Sequence, residues 1–212
     1  MIFADVEAAQ PYYVMPYFPG GSLSAYAGKL SAAQLRNVAA EIAGTIAALH
    51  GTGTSHGDIK PDNTLVTHEG RLRVGDPLGN GPGCTILFSE NCGGTPGYMA
   101  PEIRQGTPIS PSGDIYSYGA TLLHLATGRR PREGERPDLL THQSAIVPDV
   151  RAIIVACCNP LAAKRPGISD VLRMLRGESW QGIQRARENM KNMFLLGGAA
   201  LAFGALVALA SE

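Results

Sequence analysis

A chain of 212 residues is long enough for one sizeable core, or for one domain with an appendage. Its 18 Lys and Arg balance 18 Asp and Glu, so the sequence lacks the basic excess that marks nucleic-acid binding, and no nucleic-acid partner is expected. Hydrophobic residues make up 44% of the chain, as in ordinary globular proteins, and 26 Gly with 15 Pro announce many turns.

The four cysteines, Cys84, Cys92, Cys157 and Cys158, form no CxxC pair and no Cys/His set at zinc spacing. Adjacent Cys157 and Cys158 read as buried thiols in a reducing compartment. The start, "MIFADVEAAQ", has neither a basic cluster nor an apolar run, so no signal peptide is expected. "YYVMPYF", Tyr12–Phe18, reads as a strand that leaves through a linker, and "PGGS" then breaks the chain. Ser31 and Gln34 form a capping-box pair ahead of Leu35, Val38, Ala39, Ile42, Ile46 and Leu49 at helical spacing, which predicts an amphipathic helix over Ala32–His50, closed by Gly51.

Next comes "SHGDIKPDNTLV", Ser55–Val66, a loop crowded with charged and polar groups. "TLVT" and "RLRVG" flank "HEGR" in the manner of a small hairpin. From Asp76 to Tyr98 the chain is rich in Gly, Pro, Asn and Ser and predicts a long irregular segment, which inside a compact domain is usually functional. The "GNGPG" within it, Gly79–Gly83, opens no helix and reads as flexible linker rather than a phosphate loop. Asp114–Thr127 is strongly apolar and ends at Gly128, which predicts a buried helix. "PREGERPD" is a polar connection, and two more helical patterns cover Pro148–Cys158 and Ile168–Arg176.

Arg185, Arg187 and Lys191 precede an uncharged run of 18 residues, Met193–Ala210, "MFLLGGAALAFGALVALA". As a helix it spans roughly 27 Å, close to the ~30 Å hydrocarbon core of a bilayer. This predicts a single transmembrane pass, with the basic side and the preceding domain in the cytoplasm. Ala200, Gly204 and Ala208 at four-residue spacing would let two such helices pair as a homodimer.

The chemistry of the crowded loop can be read from its residue types. An acid on a loop beneath a strand–helix junction can accept a proton from an attacking hydroxyl. A lysine two residues on can sit against a transferring phosphoryl group, and an asparagine five residues on can hold a metal ion. A second acid, Asp76, follows a strand 18 positions after Asp58. Phosphoryl transfer needs this set, because charge must be neutralised and the nucleophile positioned.

These stretches resemble the eukaryotic-type serine/threonine protein kinases. "HGDIKPDN" is similar to their catalytic loop, H-R-D-x-K-x-x-N, and "VGDPLG" sits where the metal-binding D-F-G is expected. "GTPGYMAPE", Gly94–Glu102, resembles the end of the activation segment, "SGDIYSYG" the central helix, and "KRP", Lys164–Pro166, the late arginine of the large lobe. All five occur in family order within Tyr12–Leu175.

The resemblance implies a role for each matching residue. Asp58 would be the catalytic base, Lys60 would stabilise the γ-phosphate, and Thr95 would bridge the two. Asn63 and Asp76 would hold Mg²⁺. Leu65 would floor the adenine of ATP, the backbone around Tyr17 and Phe18 would meet its edge, and Met15 would be the gatekeeper. Glu102 would pair with Arg165, Asp114 would bond the catalytic-loop backbone, and His56 would pack structurally.

Departures are equally visible. Only about fourteen residues precede Met15, and they contain no lysine and no glycine, so the Gly-rich loop, strand lysine and helix glutamate of the small lobe have no counterpart. Gly57 stands where the family has arginine, which makes activation through a phosphorylated segment doubtful. Pro77 and Leu78 replace the F-G of D-F-G, and a proline restricts the swing of that segment.

The expected fold is therefore mostly α (α+β): a kinase-like large lobe over residues 1–180 with one or two remnant small-lobe strands, a basic juxtamembrane linker over 181–192 and a transmembrane helix over 193–210. The expected function is a membrane-anchored serine/threonine kinase acting on a protein substrate, impaired by the missing lobe. The alternative is a degenerate kinase-like binding module, and membrane lipid around the C-terminal helix is the other expected partner.

Overall fold

A computed structural model describes residues 3–5, 12–76, 94–134, 146 and 148–192. Residues 77–93 and 193–210, which carry most of the expected irregular segment and the whole expected membrane span, lie outside them. Among the described residues no helix is long and apolar enough to cross a membrane.

The chain opens with a ribbon of two antiparallel strands, β1 (Phe3–Asp5) and β2 (Tyr12–Val14), in the register Phe3↔Val14. The strand signal at Tyr12 is right in place but stops at Val14, because Pro16 has no N–H to extend a ladder. Helix α1 (Ala32–Gly51) begins where the capping box puts it. The Gln34 amide donates to Ser31 Oγ at 3.2 Å and the Ser31 amide to Gln34 Oε1 at 2.8 Å. Its buried face is Leu35, Ala39, Ile42, Ala43 and Ile46.

The hairpin forms as expected, with β3 (Thr64–Val66) antiparallel to β4 (Leu72–Val74) in the register Thr64↔Val74. After the short helix α2 (Pro101–Arg104) comes α3 (Pro111–Thr127), which starts one turn earlier than its apolar pattern. Ser110 caps it, accepting from the Gly113 amide at 3.2 Å, and Pro111 fits the first turn, where no N–H is needed. Gly128, at φ 72°, ends it in the left-handed conformation.

Every residue of α3 from Gly113 to Leu125 is buried, so this helix is the axis of the core. It packs against α1 and α4 (Pro148–Cys157), while α5 (Ile168–Leu175) closes the bundle against α1 and α4. The expected linker over 181–192 is helical: residues 180–192 form α6. Ser179 caps it through the Gly182 amide at 3.1 Å, Ile183 is buried in the core, and Arg187 pairs with Asp170 at 2.7 Å. A lone buried isoleucine in a polar stretch is too weak a period to reveal a helix beforehand.

The α3–α4 contact rests on a glycine. A Cβ on Gly119 would lie 2.7 Å from Cys158 Sγ and 2.8 Å from Cys157 Cβ. Gly119→Ala is expected to destabilise the fold by about 1–3 kcal/mol, because overpacking outweighs the better helix propensity of alanine. Urea unfolding of the variant measures this.

Candidate active site

The Ser55–Asn63 loop is held from below by one face of α3. Asp114, 1% exposed, accepts from the His56 and Gly57 amides at 2.8 Å each, and its Oδ2 lies 2.9 Å from His50 Nε2. Gly57 has φ 85°, a conformation that a side chain would strain. Further along the helix, Thr121 Oγ1 donates to the Ile59 carbonyl at 3.3 Å, and Ser117 Oγ donates to the Tyr98 carbonyl at 2.8 Å. His124 Nδ1 meets the Tyr98 hydroxyl at 2.6 Å. Asp114, Ser117, Thr121 and His124 are spaced three, four and three apart, so they form a polar stripe along one face of α3. The stripe bonds the catalytic-like loop and the segment around Tyr98 to a single rigid element.

On this platform Asp58, 8% exposed, collects three side-chain donors. Lys60 Nζ donates to its Oδ2 at 2.5 Å, Asn63 Nδ2 to Oδ2 at 2.8 Å, and Thr95 Oγ1 to Oδ1 at 3.0 Å. Lys60 Nζ also donates to Thr95 Oγ1 at 2.6 Å, so Thr95 joins Asp58 to Lys60 directly. A carboxylate offers about four acceptor positions. With three filled, room remains on Oδ1 for one more donor.

Asn63 spends its amide hydrogens on Asp58, on the carboxylate and on the backbone carbonyl at 3.0 Å, which leaves its own Oδ1 for other partners. The Gly75 amide donates to the Asn63 carbonyl at 2.8 Å and extends the hairpin ladder by one step. Asp76 therefore follows directly beside Asn63. It is exposed, and its φ of 58° makes it the only non-glycine in the left-handed region among the described residues. Such a conformation at an acidic residue is a mark of functional sites.

The charges of Asp114, Asp58 and Asp76 all reach the buried His56, although burial dominates and holds its imidazole below the ordinary 6.5. The imidazole is thus neutral near pH 7. Asp58 N donates to His56 Nδ1 at 3.3 Å, which leaves the proton on Nε2.

Leu65 sits on β3, half-buried, and the segment Gly20–Ser22 runs along that strand: Gly20 N donates to the Val66 carbonyl and Val66 N to the Gly21 carbonyl. This brings the Tyr17–Phe18 stretch to the edge of the site. Phe18 is half-buried, whereas Tyr17 is 89% exposed and Met15 also lies open.

Two expected structural residues meet in a buried ion pair. Arg165 Nη1 and Nη2 donate to Glu102 Oε1 and Oε2 at 2.6 and 2.7 Å, and the guanidinium also bonds the Asn159, Ser112 and Pro160 carbonyls. It lies 5.1 Å from the centre of the Tyr116 ring. Burial pushes the Glu102 carboxyl up, but the bonds from Arg165 outweigh it and leave the group below its usual range.

Tyr98, which sequence reading passed over, is buried with its phenol pushed up to about 12, chiefly by burial. The unfolded chain ionises this group near 10, the folded chain only near 12. Its contribution to stability is therefore complete below pH 10 and lost as pH rises toward 12. Tyr98→Phe is expected to flatten the alkaline limb of a stability-versus-pH curve measured by denaturant melts. Tyr116, Tyr118 and the Cys157 thiol, also raised by burial, contribute to the slope that remains.

Among the described residues no group of three His, Cys, Asp or Glu could hold a metal ion unaided. The Asn63 amide oxygen and the Asp76 carboxylate are hard oxygen donors, and a cation bound by so few protein ligands takes the rest of its shell from phosphate and water. That is the habit of Mg²⁺ with a nucleotide, and the donor set fits it.

A family model described as protein kinase domain matches residues 3–175. The chain is 30% identical over 192 residues to the serine/threonine-protein kinase AfsK of Streptomyces coelicolor, covering 82% of this chain and 24% of that protein. It is 30% identical over 194 residues to the serine/threonine-protein kinase PknK of Mycobacterium tuberculosis, covering 85% and 18%. To the MAP kinase kinase MKK1/SSP32 of Saccharomyces cerevisiae it is 33% identical over 142 residues, covering 64% and 28%. The chain thus spans less than a third of the length of these curated relatives.

Proposed function

Because the chain belongs to the protein kinase family, in its eukaryotic-type serine/threonine branch, we propose that its large lobe transfers the γ-phosphate of ATP to serine or threonine hydroxyls of a protein substrate. The observation that carries this reading is the closed cluster of Asp58, Lys60, Thr95 and Asn63, with Asp76 beside it. In it, Asp58 uses its remaining acceptor position to orient the incoming hydroxyl and take its proton. Lys60, already bonded to both Asp58 and Thr95, presents its charge to the phosphoryl group in transit. Asn63 and Asp76 would hold magnesium, which would supply charge neutralisation for the nucleotide's phosphates. Thr95 ties the activation segment to the base, so the peptide-facing segment and the loop move as one.

ATP enters against Leu65 and the Tyr17–Phe18 backbone. The 212 residues alone bind it weakly, because Met15 and Tyr17 are exposed and much of a nucleotide's affinity comes from enclosure on both sides. The run 193–210 anchors the chain in a membrane, with the kinase domain on the cytoplasmic side and helix pairing into a homodimer; this part rests on the uncharged sequence and its basic flank. Alkaline extraction of membranes leaves the full chain in the pellet and releases a chain ending at Asn192.

The exposed ribbon residues Tyr12 and Val14, with Met15 and Tyr17, favour a second reading, a kinase-like binding module docking through this apolar edge. Transfer of labelled phosphate from Mg-ATP to serine peptides separates the two. Incorporation that requires Mg²⁺ and Asp58 supports the kinase. Complete absence of incorporation, with peptide binding retained, supports the module.

A further inference from the structure

The last residue of the α3 stripe, His124, is buried and titratable, and the phosphotransfer just described gives it no part. Its Nδ1 meets the Tyr98 hydroxyl at 2.6 Å. Tyr98 is tied to α3 a second time through its carbonyl, which accepts from Ser117 Oγ at 2.8 Å. Tyr98 N donates to the Thr95 carbonyl at 3.1 Å and closes a single turn, Thr95 to Tyr98. At the other end of that turn Thr95 Oγ1 bonds both Asp58 and Lys60. One turn of chain therefore joins two anchors, the base at Thr95 and the core helix at Tyr98.

Burial keeps the Tyr98 phenol protonated up to about 12, so in the working range it is the donor and His124 Nδ1 accepts. Nδ1 can accept only while the imidazole is neutral. Burial is also the main influence on His124 and holds it below the ordinary 6.5. The Asp62 carboxylate on the loop pulls the other way, and the Arg130 guanidinium beyond the end of α3 adds to the depression. The ring is therefore neutral near pH 7. In acid, Nδ1 takes up a proton and becomes a donor, and the phenol must turn its own proton away. Among the described residues no other side chain hydrogen-bonds this hydroxyl. A buried donor is then stranded, an unfavourable state that the turn relieves by moving.

We propose that His124 is a positioning residue: as a neutral imidazole accepting the Tyr98 hydroxyl, it sets the turn from Thr95 to Tyr98 for the substrate peptide, and its protonation loosens that turn. The inference rests on the kinase reading for its consequence, since the segment then faces a peptide. His124 touches neither nucleotide nor acceptor hydroxyl and acts only through Tyr98. Thr95 keeps its own bonds to Asp58 and Lys60, so the chemical step is spared and the effect falls on peptide binding.

The test uses the full chain in detergent between about pH 5 and 8, the span in which a histidine changes charge. Amide hydrogen exchange of residues 94–99, corrected for its intrinsic pH dependence, reads the turn without any substrate. Separately, kcat and KM are measured on a serine peptide drawn from a degenerate library free of Asp, Glu and His. In the parent chain, exchange of the turn should quicken about tenfold on the acid side, the scale of stranding one buried hydroxyl. KM should rise by a similar factor while kcat moves little. His124→Asn places an amide oxygen near the position of Nδ1 and cannot titrate, so it should keep the parent's behaviour at neutral pH and remove the acid-side change. His124→Leu offers no acceptor and should show the loosened turn at every pH. Should His124→Asn misfold, Tyr98→Phe decides the matter, since without the phenol proton the acid-side change must vanish too. No acid-side quickening in the parent, or one that survives these substitutions, overturns the proposal. An acid-sensitive turn in a chain that transfers no phosphate supports it while overturning the kinase reading, and phosphotransfer with a turn indifferent to pH does the reverse.

Discussion

Asp58→Asn is expected to lower phosphotransfer to a serine peptide by about 10²–10⁴-fold, the range that a positioned general base contributes, while thermal stability stays close to that of the parent. The two halves of this expectation come from the same geometry. An asparagine can turn its Oδ1 toward Lys60 and Asn63, keeping those two bonds, and present its amide to Thr95 Oγ1, which then accepts instead of donating. The local network survives in neutral form. What is lost is the basic oxygen that takes the hydroxyl proton, so the effect falls on kcat and leaves peptide binding unchanged. Thr95→Ala is the informative companion. It removes one of three donors while Lys60 still reaches Asp58, so its loss should be smaller. Steady-state kinetics of both variants, with melts alongside, check the ordering.

Glu102→Ala is expected to have the largest effect on stability, about 3–5 kcal/mol, because it strands a buried guanidinium. The side chain of Arg165 is 1% exposed, against 22% for Glu102, so the arginine cannot turn to water for compensation. The carbonyls of Asn159, Ser112 and Pro160 and the Tyr116 ring remain, but they carry no full charge to oppose it. At about 2–4 °C per kcal/mol for a chain of this size, Tm should fall by about 6–20 °C. A paired replacement, Glu102→Leu with Arg165→Met, should recover much of the loss, since it removes both charges and not one. The same pair sets an acid limb. The depressed carboxyl of Glu102 contributes stability that is complete above its ordinary 4.5 and fades as pH falls below it.

The catalytic-like loop was legible because its chemistry is written in neighbours. Asp58, Lys60 and Asn63 lie within six residues, and only a turn is needed to bring them together. Asp76 was legible as an acid after a strand, and the hairpin pairing of Asn63 with Gly75 explains how 12 intervening residues close to a single step. Thr95 and the Glu102–Arg165 pair were reached only through family resemblance, since nothing local says that residues 37 or 63 positions apart will touch.

Of the α3 stripe only Asp114 was expected, through the family resemblance. Ser117, Thr121 and His124 sit in a run whose apolar majority dominates the period, and their spacing is visible only after one asks which positions of a buried helix are polar. Tyr98 was invisible for a related reason: an aromatic residue gives no sequence signal that its hydroxyl will be matched by a histidine 26 residues on. Helix α6 failed on propensity, with Gly182 in its first turn and only Ile183 and the partly buried Trp180 turned inward.

Everything rests on Asn63 and Asp76 facing one phosphate-bound cation in front of Asp58. Electron paramagnetic resonance of Mn²⁺ titrated into the chain, with and without a non-hydrolysable ATP analogue at millimolar concentration, measures this directly. Bound Mn²⁺ should appear only when the nucleotide is present and should be lost in both Asn63→Ala and Asp76→Ala. Manganese held equally well without nucleotide, or held in both variants as in the parent, would contradict it.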